Sequence, residues 1–429
     1  MRDIEWVKES VFYHIYPLGA FGCPRENKGE ETKGHRILKL IDWIPHLKKI
    51  GINAIYLGPI MESGTHGYDT YNYYQIDSRL GDNADFKEVV KQCHQNGIKV
   101  VLDGVFNHVG RGHEAFVDVL KNREKSNYKD WIAGLNLGGN NWHNDGLSYE
   151  CWSGAEELVK LNHWCEAVDN HILNAVGMWI DEFDIDGLRL DAADCIERGF
   201  FKRLKSFTEQ KKSSFWLMGE IIHGDYNIYV NEEMLDAVTN YECWKGIYSS
   251  HNDHNYFEIN YAMKRQWGQG GLYSGKYLYN FVDNHDVNRI ATLLKDKENI
   301  FPTYTLLFTM PGIPSIYYGS EFGIEGDKNA GDGDYALRPE LELEKLNNPD
   351  LIDHIKTLAD IRKDSNPLKE GIYEEVQVRN ETLVFARVLG DECVIVALNN
   401  TPEKKPLSFD YRGQHYDIEL APHGSKILK

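Results

Sequence analysis

Three acidic residues follow short apolar segments and carry the side chains that acid–base chemistry requires. Asp191 directly follows the segment Gly187–Leu190, and Arg189 projects to the same side as Asp191 because strand side chains alternate with a period of two. An arginine beside a buried aspartate favours the ionised carboxylate, as a nucleophile requires. Glu220 follows the segment Phe215–Gly219, where apolar surroundings raise the pKa of a carboxyl group and suit a general acid.

Asp286 supplies a third carboxylate after the segment Tyr277–His285. One ionised acid, one protonated acid and a nearby third carboxylate suit retaining glycoside hydrolysis, whose transition state resembles an oxocarbenium ion. Each acid taken alone could equally be a strand-end residue with a structural hydrogen bond. Their joint occurrence after three apolar segments favours the catalytic interpretation.

Other enzyme classes lack their usual residues in this sequence. It contains no H-E-x-x-H, no G-x-x-x-x-G-K-[ST], no G-x-G-x-x-G after an apolar segment and no G-x-S-x-G. Zinc hydrolysis, P-loop chemistry, dinucleotide redox chemistry and serine esterase chemistry are therefore disfavoured.

Composition and charge exclude further classes of protein. The 429 residues carry a net charge of −19 at pH 7, which disfavours nucleic acid and anionic membranes as partners. The segment 1–10 has no apolar secretory core, and the seven cysteines form no C-x-x-C pair. The longest apolar stretch, 301–318, contains three prolines and is not expected to cross a membrane. We therefore expect a cytoplasmic protein with free thiols.

Eight β-rich segments alternate with helical ones and predict an α/β fold, a (β/α)₈ TIM barrel. The predicted strands are Val11–Tyr16, Ile52–Leu57, Lys99–Phe106, Gly187–Leu190, Phe215–Met218, Ala237–Thr239, Tyr277–Val282 and Ser315–Tyr318. The predicted helices include Ile37–Ile50, Asp85–Asn96, Glu156–Glu182 and Glu197–Gln210. Barrel enzymes place their sites at the C-terminal ends of the strands, where all three acids lie.

Two departures from this alternation predict additional domains. A polar stretch rich in Gly and Asn after the third strand predicts an inserted subdomain, because it is longer than ordinary strand-to-helix connections. Alternating apolar residues near the C-terminus predict an antiparallel β-sandwich. The predicted division is 1–106 for the first part of the barrel, 107–155 for the insertion, 156–366 for the rest of the barrel and 367–429 for the sandwich.

Four ordered motifs resemble those of the α-amylase family of retaining α-glucan glycosidases. They are Asp103-Gly104-Val105-Phe106-Asn107-His108, Gly187-Leu188-Arg189-Leu190-Asp191, Gly219-Glu220-Ile221 and Phe281-Val282-Asp283-Asn284-His285-Asp286. Two further segments, His66-Gly67-Tyr68-Asp69 and Tyr13-His14-Ile15-Tyr16-Pro17, are similar to upstream motifs of the family. The resemblance covers almost the full length of the chain.

The resemblance implies a role for each motif residue. Asp191 is implied as nucleophile, Glu220 as general acid/base and Asp286 as transition-state stabiliser. Around the sugar in subsite −1 it implies Arg189, His108 and His285, with Tyr68 stacking on the ring and Asp103 orienting its neighbours. The remaining candidate substrate-binding residues are His66, Asp69 and His223.

Further residues resemble the branch that contains neopullulanase, cyclomaltodextrinase and maltogenic amylase. Leu158–Asn162 is similar to the K-L-N motif of that branch, and Glu220–His223 is similar to its G-E-x-W-H motif, with Ile222 in place of the Trp. Thr239–Tyr241 and the pair Arg338-Pro339 fit the same branch. Those enzymes usually carry an N-terminal β-domain that supports dimerisation. This sequence starts directly at the predicted barrel, so we expect a monomer or a weak homodimer.

The expected substrates are maltooligosaccharides, cyclodextrins or pullulan fragments, cleaved at α-1,4 bonds with α-1,6 cleavage left open. No cofactor is expected for the chemistry. The resemblance implies that Asn107 would be a ligand of a structural calcium ion, as in calcium-binding members of the family, with Asp194 at the position where those members contribute a His. Trp142, Trp152 and Trp244 are candidate outer platforms for sugar rings, or packing residues. The same acids would also serve an α-glucosidase or a transglycosylase. A non-catalytic amylase-like binding protein is disfavoured because all three acids are present.

Overall fold

The computed structural model describes residues 4–29 and 34–429, and all eight predicted barrel strands form. They are β1 (Phe12–Ile15), β2 (Ala54–Leu57), β3 (Lys99–Gly104), β4 (Gly187–Leu190), β5 (Trp216–Gly219), β6 (Ala237–Val238), β7 (Tyr279–Phe281) and β8 (Ile313–Tyr317). The strands are parallel in the order β6-β5-β4-β3-β2-β1-β8-β7, and a bridge between Thr239 and Tyr279 joins β6 to β7. The predicted barrel is therefore confirmed.

Helices surround the barrel and cover the outer face of its strands. In the described part of the chain they are α1 (Pro17–Ala20), α2 (Lys39–Lys49), α3 (Asn83–Gln95), α4 (Glu114–Asn122), α5 (Glu166–Met178), α6 (Arg198–Lys211), α7 (Tyr241–Asn252), α8 (Tyr256–Trp267), α9 (Ile290–Leu293), α10 (Ile300–Thr309), α11 (Pro349–Lys363) and α12 (Asn366–Glu370). None of these helices is long and apolar enough to cross a membrane.

Helix α3 shows how local sequence sets an element of the barrel. The Asp82 carboxylate accepts hydrogen bonds from the backbone N–H groups of Ala84 and Asp85. In turn, the Asp85 carboxylate accepts a hydrogen bond from the backbone N–H of Asp82. This capping box satisfies donors that the first helical turn leaves free. The side chains buried by the helix are Phe86, Val89, Val90 and Cys93, which are the apolar residues whose spacing predicted it.

The predicted helix Glu156–Glu182 is wrong in its first part. Residues Ala155–Lys160 form a strand that pairs with His108–Gly110 and with Cys151–Trp152 in a three-stranded antiparallel sheet, and α5 begins only at Glu166. Pairing with a distant strand outweighs local periodicity here. The strand crosses the boundary predicted between residues 155 and 156, and the division of the chain into domains stays a prediction.

A hairpin after β2 carries part of the predicted site. Its strands are Met61–Ser63 and Thr70–Ile76, and the turn between them contains Tyr68. The base of the hairpin is fixed by a buried ion pair in which Arg79 donates to Asp77 through Nε and Nη2, at 2.8 and 2.7 Å. Arg79 also donates to the carbonyl oxygen of Thr65 at 2.6 Å, which holds the turn against the barrel.

Antiparallel strands follow the barrel, as predicted for the C-terminal region. A four-stranded sheet contains β9 (Ile372–Val378), β10 (Thr382–Leu389), β11 (Glu392–Asn399) and β14 (Ser425–Leu428), in that spatial order. A separate two-stranded ribbon contains β12 (Lys405–Tyr411) and β13 (Gln414–Leu420). Apolar side chains of the sheet and of the ribbon form one buried cluster, which includes Val384, Ala386, Ile395, Leu407 and Phe409.

Arg387 of β10 ties the C-terminal sheet to the barrel. Its guanidinium is buried and donates to the carbonyl oxygens of Gly371 at 2.7 Å, Thr309 at 2.8 Å and Leu368 at 3.0 Å. Burial lowers the pKa of Arg387 well below its usual range. The buried cation is compensated by backbone dipoles, since these hydrogen bonds all go to carbonyl groups.

Arg387→Met should lower the free energy of unfolding by about 2–4 kcal/mol, because it leaves buried carbonyl groups without donors. Arg379→Met is the matched control, since Arg379 is exposed in the adjacent turn and loses the same charge. Thermal unfolding of the two variants and the unmodified protein gives the comparison. Equal melting temperatures for both variants would contradict the structural role of Arg387.

Candidate active site

Arg189 joins three carboxylates at the C-terminal ends of adjacent strands. Its buried guanidinium donates through Nη1 to both carboxylate oxygens of Asp103, at 2.8 and 2.9 Å. Nη1 also lies 2.9 Å from Asp191 Oδ1, and Nη2 lies 2.7 Å from Glu220 Oε1. Strand register explains the assembly, because Arg189 on β4 pairs with Asp103 on β3 and with Met218 on β5. The structure thus brings these predicted residues together.

Glu220 lies among hydrogen-bond donors, so the prediction of apolar surroundings is wrong. Besides the ion pair with Arg189, its carboxylate accepts from the backbone N–H of Ala192 at 3.1 Å and from the hydroxyl of Tyr241 at 3.3 Å. Ala192 has a φ of 44°, a left-handed conformation that non-glycine residues rarely adopt. The Ala192 N–H group directly follows Asp191, so one donor to Glu220 comes from the backbone beside the other acid.

The pKa of Asp191 is raised well above its usual range. Burial is the main cause, and the negative charges of Glu220 and Asp103 add to it, while Arg189 acts in the opposite direction. Arg189 favours the ionised form of Asp191, as its position in the sequence predicted, but burial and the neighbouring carboxylates outweigh it.

Asp286 has the opposite electrostatic environment. Burial by itself would raise the pKa of Asp286, but His285 and Arg338 hold it well below its usual range. Arg338 Nη2 donates to Oδ1 at 3.0 Å, and His285 Nε2 lies 2.9 Å from Oδ2. The Asp286 side chain remains 38% exposed, so it is accessible from the cleft. It is therefore a stable anion near the other acids.

Histidine nitrogens without partners lie in the same site. His108 Nε2, His285 Nδ1 and His14 Nε2 are buried and have no hydrogen-bond partner among the residues that the structure describes. Burial lowers the pKa of His108 to about 4, so this imidazole is neutral near pH 7. Neutral imidazoles donate or accept hydrogen bonds, as sugar hydroxyl groups require.

Tyr68 lies over His285, and the turn that carries it holds His66 and Asp69. The two rings stack with centroids 5.5 Å apart, and the Tyr68 hydroxyl bonds both His285 and Asp103. His66 Nδ1 accepts from the Tyr68 backbone N–H at 3.2 Å. Asp69 accepts from the backbone N–H and the hydroxyl of Thr65, at 3.1 and 3.0 Å. His66 and Asp69 therefore shape the turn that presents Tyr68.

His223 lies apart from the acids. It is exposed and lines a groove of about 540 Å³ together with Ile222, Tyr241, Trp244 and Tyr261. In the described chain no hydrogen bond joins His223 to Asp191, Glu220 or Asp286. A substrate contact of His223 therefore stays a prediction.

The residues predicted to bind calcium have unlike environments. Asn107 is buried, and its Oδ1 atom has no partner within residues 4–29 and 34–429. Asp194 is exposed and its carboxylate accepts a weak hydrogen bond from the Cys195 thiol at 3.5 Å. No group of three or more His, Cys, Asp and Glu side chains suited to a metal occurs in the described chain. Calcium takes six to eight oxygen ligands, which include amide and backbone carbonyl oxygens, and a calcium ion held by Asn107 and Asp194 stays a prediction.

The three candidate tryptophans differ in position. Trp152 is 39% exposed, and its ring centroid lies 6.0 Å from that of His108, next to the site. Trp142 is 75% exposed on the insertion. Trp244 packs against Tyr241 and Phe281 beneath the site. Trp152 therefore has the position of a sugar platform, and Trp244 is a packing residue.

Sequence reasoning assigned no site role to four residues that hold or flank the acids. Tyr56 donates to Asp103 at 2.8 Å, Tyr241 bonds Glu220, and Arg338 bonds Asp286. His14 stacks on Tyr56 with ring centroids 4.2 Å apart. Tyr241 and Arg338 fall in short segments already noted as resembling one family branch, and that was the available signal. His14 falls in the segment Tyr13–Pro17, which was noted as similar to an upstream family motif, whereas Tyr56 carries no comparable signal beyond its strand.

Comparison with known proteins places these residues in a family. Residues 37–366 match the family described as "Alpha amylase, catalytic domain". A cyclomaltodextrinase of a Bacillus species is 31% identical over 418 residues, which cover 92% of this chain and 73% of that protein. An intracellular maltogenic amylase of Bacillus subtilis is 29% identical, covering 92% and 69%. Neopullulanase 2 of Thermoactinomyces vulgaris is 30% identical, covering 94% and 71%.

Two solved structures match the chain along its whole length. The cyclic α-maltosyl-(1→6)-maltose hydrolase of Arthrobacter globiformis, in complex with cyclic α-maltosyl-(1→6)-maltose, has a TM-score of 0.86 and 26% identity, and covers 100% of both chains. The debranching enzyme of Nostoc punctiforme, soaked with acarbose, has a TM-score of 0.84 and 28% identity, covering 100% and 99%. The family resemblance seen in the motifs is confirmed: this chain belongs to the α-amylase family and is a glycoside hydrolase.

Proposed function

We propose that this glycoside hydrolase is a retaining enzyme that cleaves α-1,4 and also α-1,6 bonds of maltooligosaccharides, cyclodextrins or pullulan fragments. The observation that carries the proposal is the contact of one guanidinium, that of Arg189, with both Asp191 and Glu220. Retaining enzymes hold their two carboxyl groups about 5–5.5 Å apart, and a shared guanidinium favours such close spacing.

In the proposed mechanism, Asp191 attacks the anomeric carbon while Glu220 donates its proton to the glycosidic oxygen. The bond to the leaving sugar breaks, and a covalent glycosyl ester on Asp191 forms. Glu220, now ionised, takes a proton from water as the water oxygen attacks the anomeric carbon. The sugar leaves with the configuration it started with, and both acids return to their initial states. The α-amylase family requires no cofactor for this chemistry.

Asp286 would stabilise the positive charge that develops on the sugar ring in the transition state of each step. Its low pKa keeps it ionised, and its partly exposed side chain can approach the ring. His108 and His285 offer buried nitrogens without partners in the described chain to sugar hydroxyls, and the Tyr68 ring offers an aromatic face. Preorganised charge and donors around the transition state commonly provide the largest part of catalysis.

The relatives support α-1,6 cleavage as part of the proposal. The two solved structures described above bear names that refer to a (1→6) bond or to debranching. We propose that α-1,6-linked maltosyl units are substrates alongside α-1,4-linked ones. An α-glucosidase or a transglycosylase would use the same acids and would differ in its products.

We also propose an intracellular protein. One of the relatives is named an intracellular enzyme, and the seven cysteines are all free thiols. Free thiols persist where the cell keeps cysteines reduced. A monomeric or weakly dimeric state stays a prediction.

A product profile tests the function. The purified enzyme should release glucose and maltose from maltotriose, maltoheptaose, β-cyclodextrin and pullulan, and proton NMR should show the α-anomer of the new reducing end first. Isomaltose and cyclic α-maltosyl-(1→6)-maltose extend the panel to α-1,6 bonds. Products longer than the substrate would indicate a transglycosylase, and an initial β-anomer would exclude retention.

Variants of the two central acids should separate their roles. Glu220→Gln should lower kcat on maltotriose by about 10²–10⁴, because the leaving oxygen lacks its acid. The same variant should lower the rate of the first step with α-glucosyl fluoride far less, since fluoride leaves without protonation. Asp191→Asn should abolish turnover of both substrates.

Asp391→Asn is the matched control for these variants, because Asp391 is exposed in a hairpin turn of the C-terminal sheet. Activity of Asp191→Asn close to that of the control would contradict its assignment as nucleophile. Circular dichroism and melting temperature verify that each variant is folded.

The pH dependence should reflect the raised pKa of Asp191. Asp191 must be ionised to attack. Because its pKa is raised, kcat/KM should already fall with decreasing pH while the pH is still above about 4, the usual pKa of an aspartate. His108 has a pKa of about 4 and stays neutral above it. His108→Asn should therefore lower kcat/KM at every pH without moving the acid limb. A shift of the acid limb in His108→Asn would contradict the assignment of that limb to Asp191.

A further inference from the structure

A second cavity lies behind the hairpin that carries Tyr68. It has a volume of about 590 Å³ and is lined by the strand Thr70–Ile76, by the start of α4 and by His171 of α5. That volume is in the range of small-ligand sites in proteins. Asp191, Glu220 and Asp286 are not among its lining residues. The cavity is thus separate from the catalytic acids.

His113 places a free donor at this cavity. The residue is only 1% exposed, and its Nδ1 atom accepts a hydrogen bond from the backbone N–H of Ala115 at 3.3 Å. The proton of the neutral ring therefore lies on Nε2. Burial lowers the pKa of His113 to about 3, which keeps the ring neutral. No partner for Nε2 occurs among the described residues, so a ligand hydroxyl could accept from it.

Tyrosine rings form fixed walls of the cavity. The Tyr74 hydroxyl donates to the carbonyl oxygen of His171 at 3.2 Å, and the two rings meet edge to face with centroids 5.5 Å apart. The Tyr71 ring lies against Gly112, where a Cβ atom would come within 2.6 Å of the ring. The absence of a side chain at Gly112 therefore permits this position of Tyr71. Val117 adds an apolar rim and is 46% exposed.

The charge of the lining selects the kind of ligand. No lysine or arginine lines this part of the described structure, and Glu114 is the single carboxylate among the lining residues. An anionic ligand would meet no cation there. Aromatic faces together with neutral donors and amides suit a hydroxyl-rich, uncharged molecule.

We infer that this cavity is a second, non-catalytic site that binds a neutral oligosaccharide. Tyr71 and Tyr74 offer faces to sugar rings, and the His113 Nε2 proton bonds a hydroxyl group. The site lies on the strand that continues from the Tyr68 turn, so a bound chain lies close to the catalytic domain's own cleft. This inference is a statement about binding and does not depend on the proposed reaction.

Calorimetric titration with maltotriose tests the inference. Glu220→Gln serves as the starting protein because it should bind maltotriose with little cleavage, and two classes of binding site are expected. Val117→Arg in the same background should remove one class or raise its Kd by at least about tenfold, which is 1.4 kcal/mol. Leu389→Arg is the matched control, because Leu389 is exposed in the C-terminal sheet.

The outcomes separate the two proposals. A lost site in Val117→Arg and two sites in Leu389→Arg would support the inference, even if the unmodified enzyme cleaved no glucan. A single class of site in the starting protein, or unchanged binding in Val117→Arg, would overturn it. Tyr74→Ala provides a second test that removes one wall, and equal melting temperatures show that each variant is folded.

Discussion

One buried guanidinium holds the catalytic end of this barrel together. Arg189 contacts Asp103, Asp191 and Glu220, which lie at the ends of three adjacent strands. Removing one partner from such a buried group commonly costs about 3–5 kcal/mol, because a charge remains uncompensated. Three carboxyl groups around one cation leave an excess of negative charge. That excess suits a positively charged transition state, and it is also a reason why the pKa of Asp191 is raised.

The acids belong to two electrostatic groups, and their pKa values move in opposite directions. Asp191 shares Arg189 with two other carboxyl groups, whereas Asp286 has Arg338 and His285 beside it. The pKa is therefore raised in Asp191 and lowered in Asp286. Neighbouring acids with separated pKa values can take different roles at one pH. The two acids differ in pKa because their arginines lie on different elements. Arg189 lies on β4, and Arg338 lies on the connection after β8.

The barrel and its acids could be predicted from sequence because their signals are local. Short apolar segments predicted the strands, and the acids follow these segments within the family motifs. The strand Ala155–Lys160 could not be predicted in this way, because its pairing partner is His108–Gly110, far back in the chain. Likewise, the bond between Arg338 and Asp286 joins residues 52 positions apart. The hydroxyl donor that Tyr241 supplies to Glu220 also comes from 21 positions away along the chain.

The site also contains polar groups that have no partners among residues 4–29 and 34–429. The free nitrogens of His14, His108 and His285 are buried within the same small region. An unsatisfied buried polar group costs about 1–3 kcal/mol in stability, so folding alone does not favour such a cluster. A sugar ring presents hydroxyl groups that both donate and accept, and binding would satisfy these nitrogens together. Local instability at the barrel's C-terminal end is therefore a structural basis for sugar binding there.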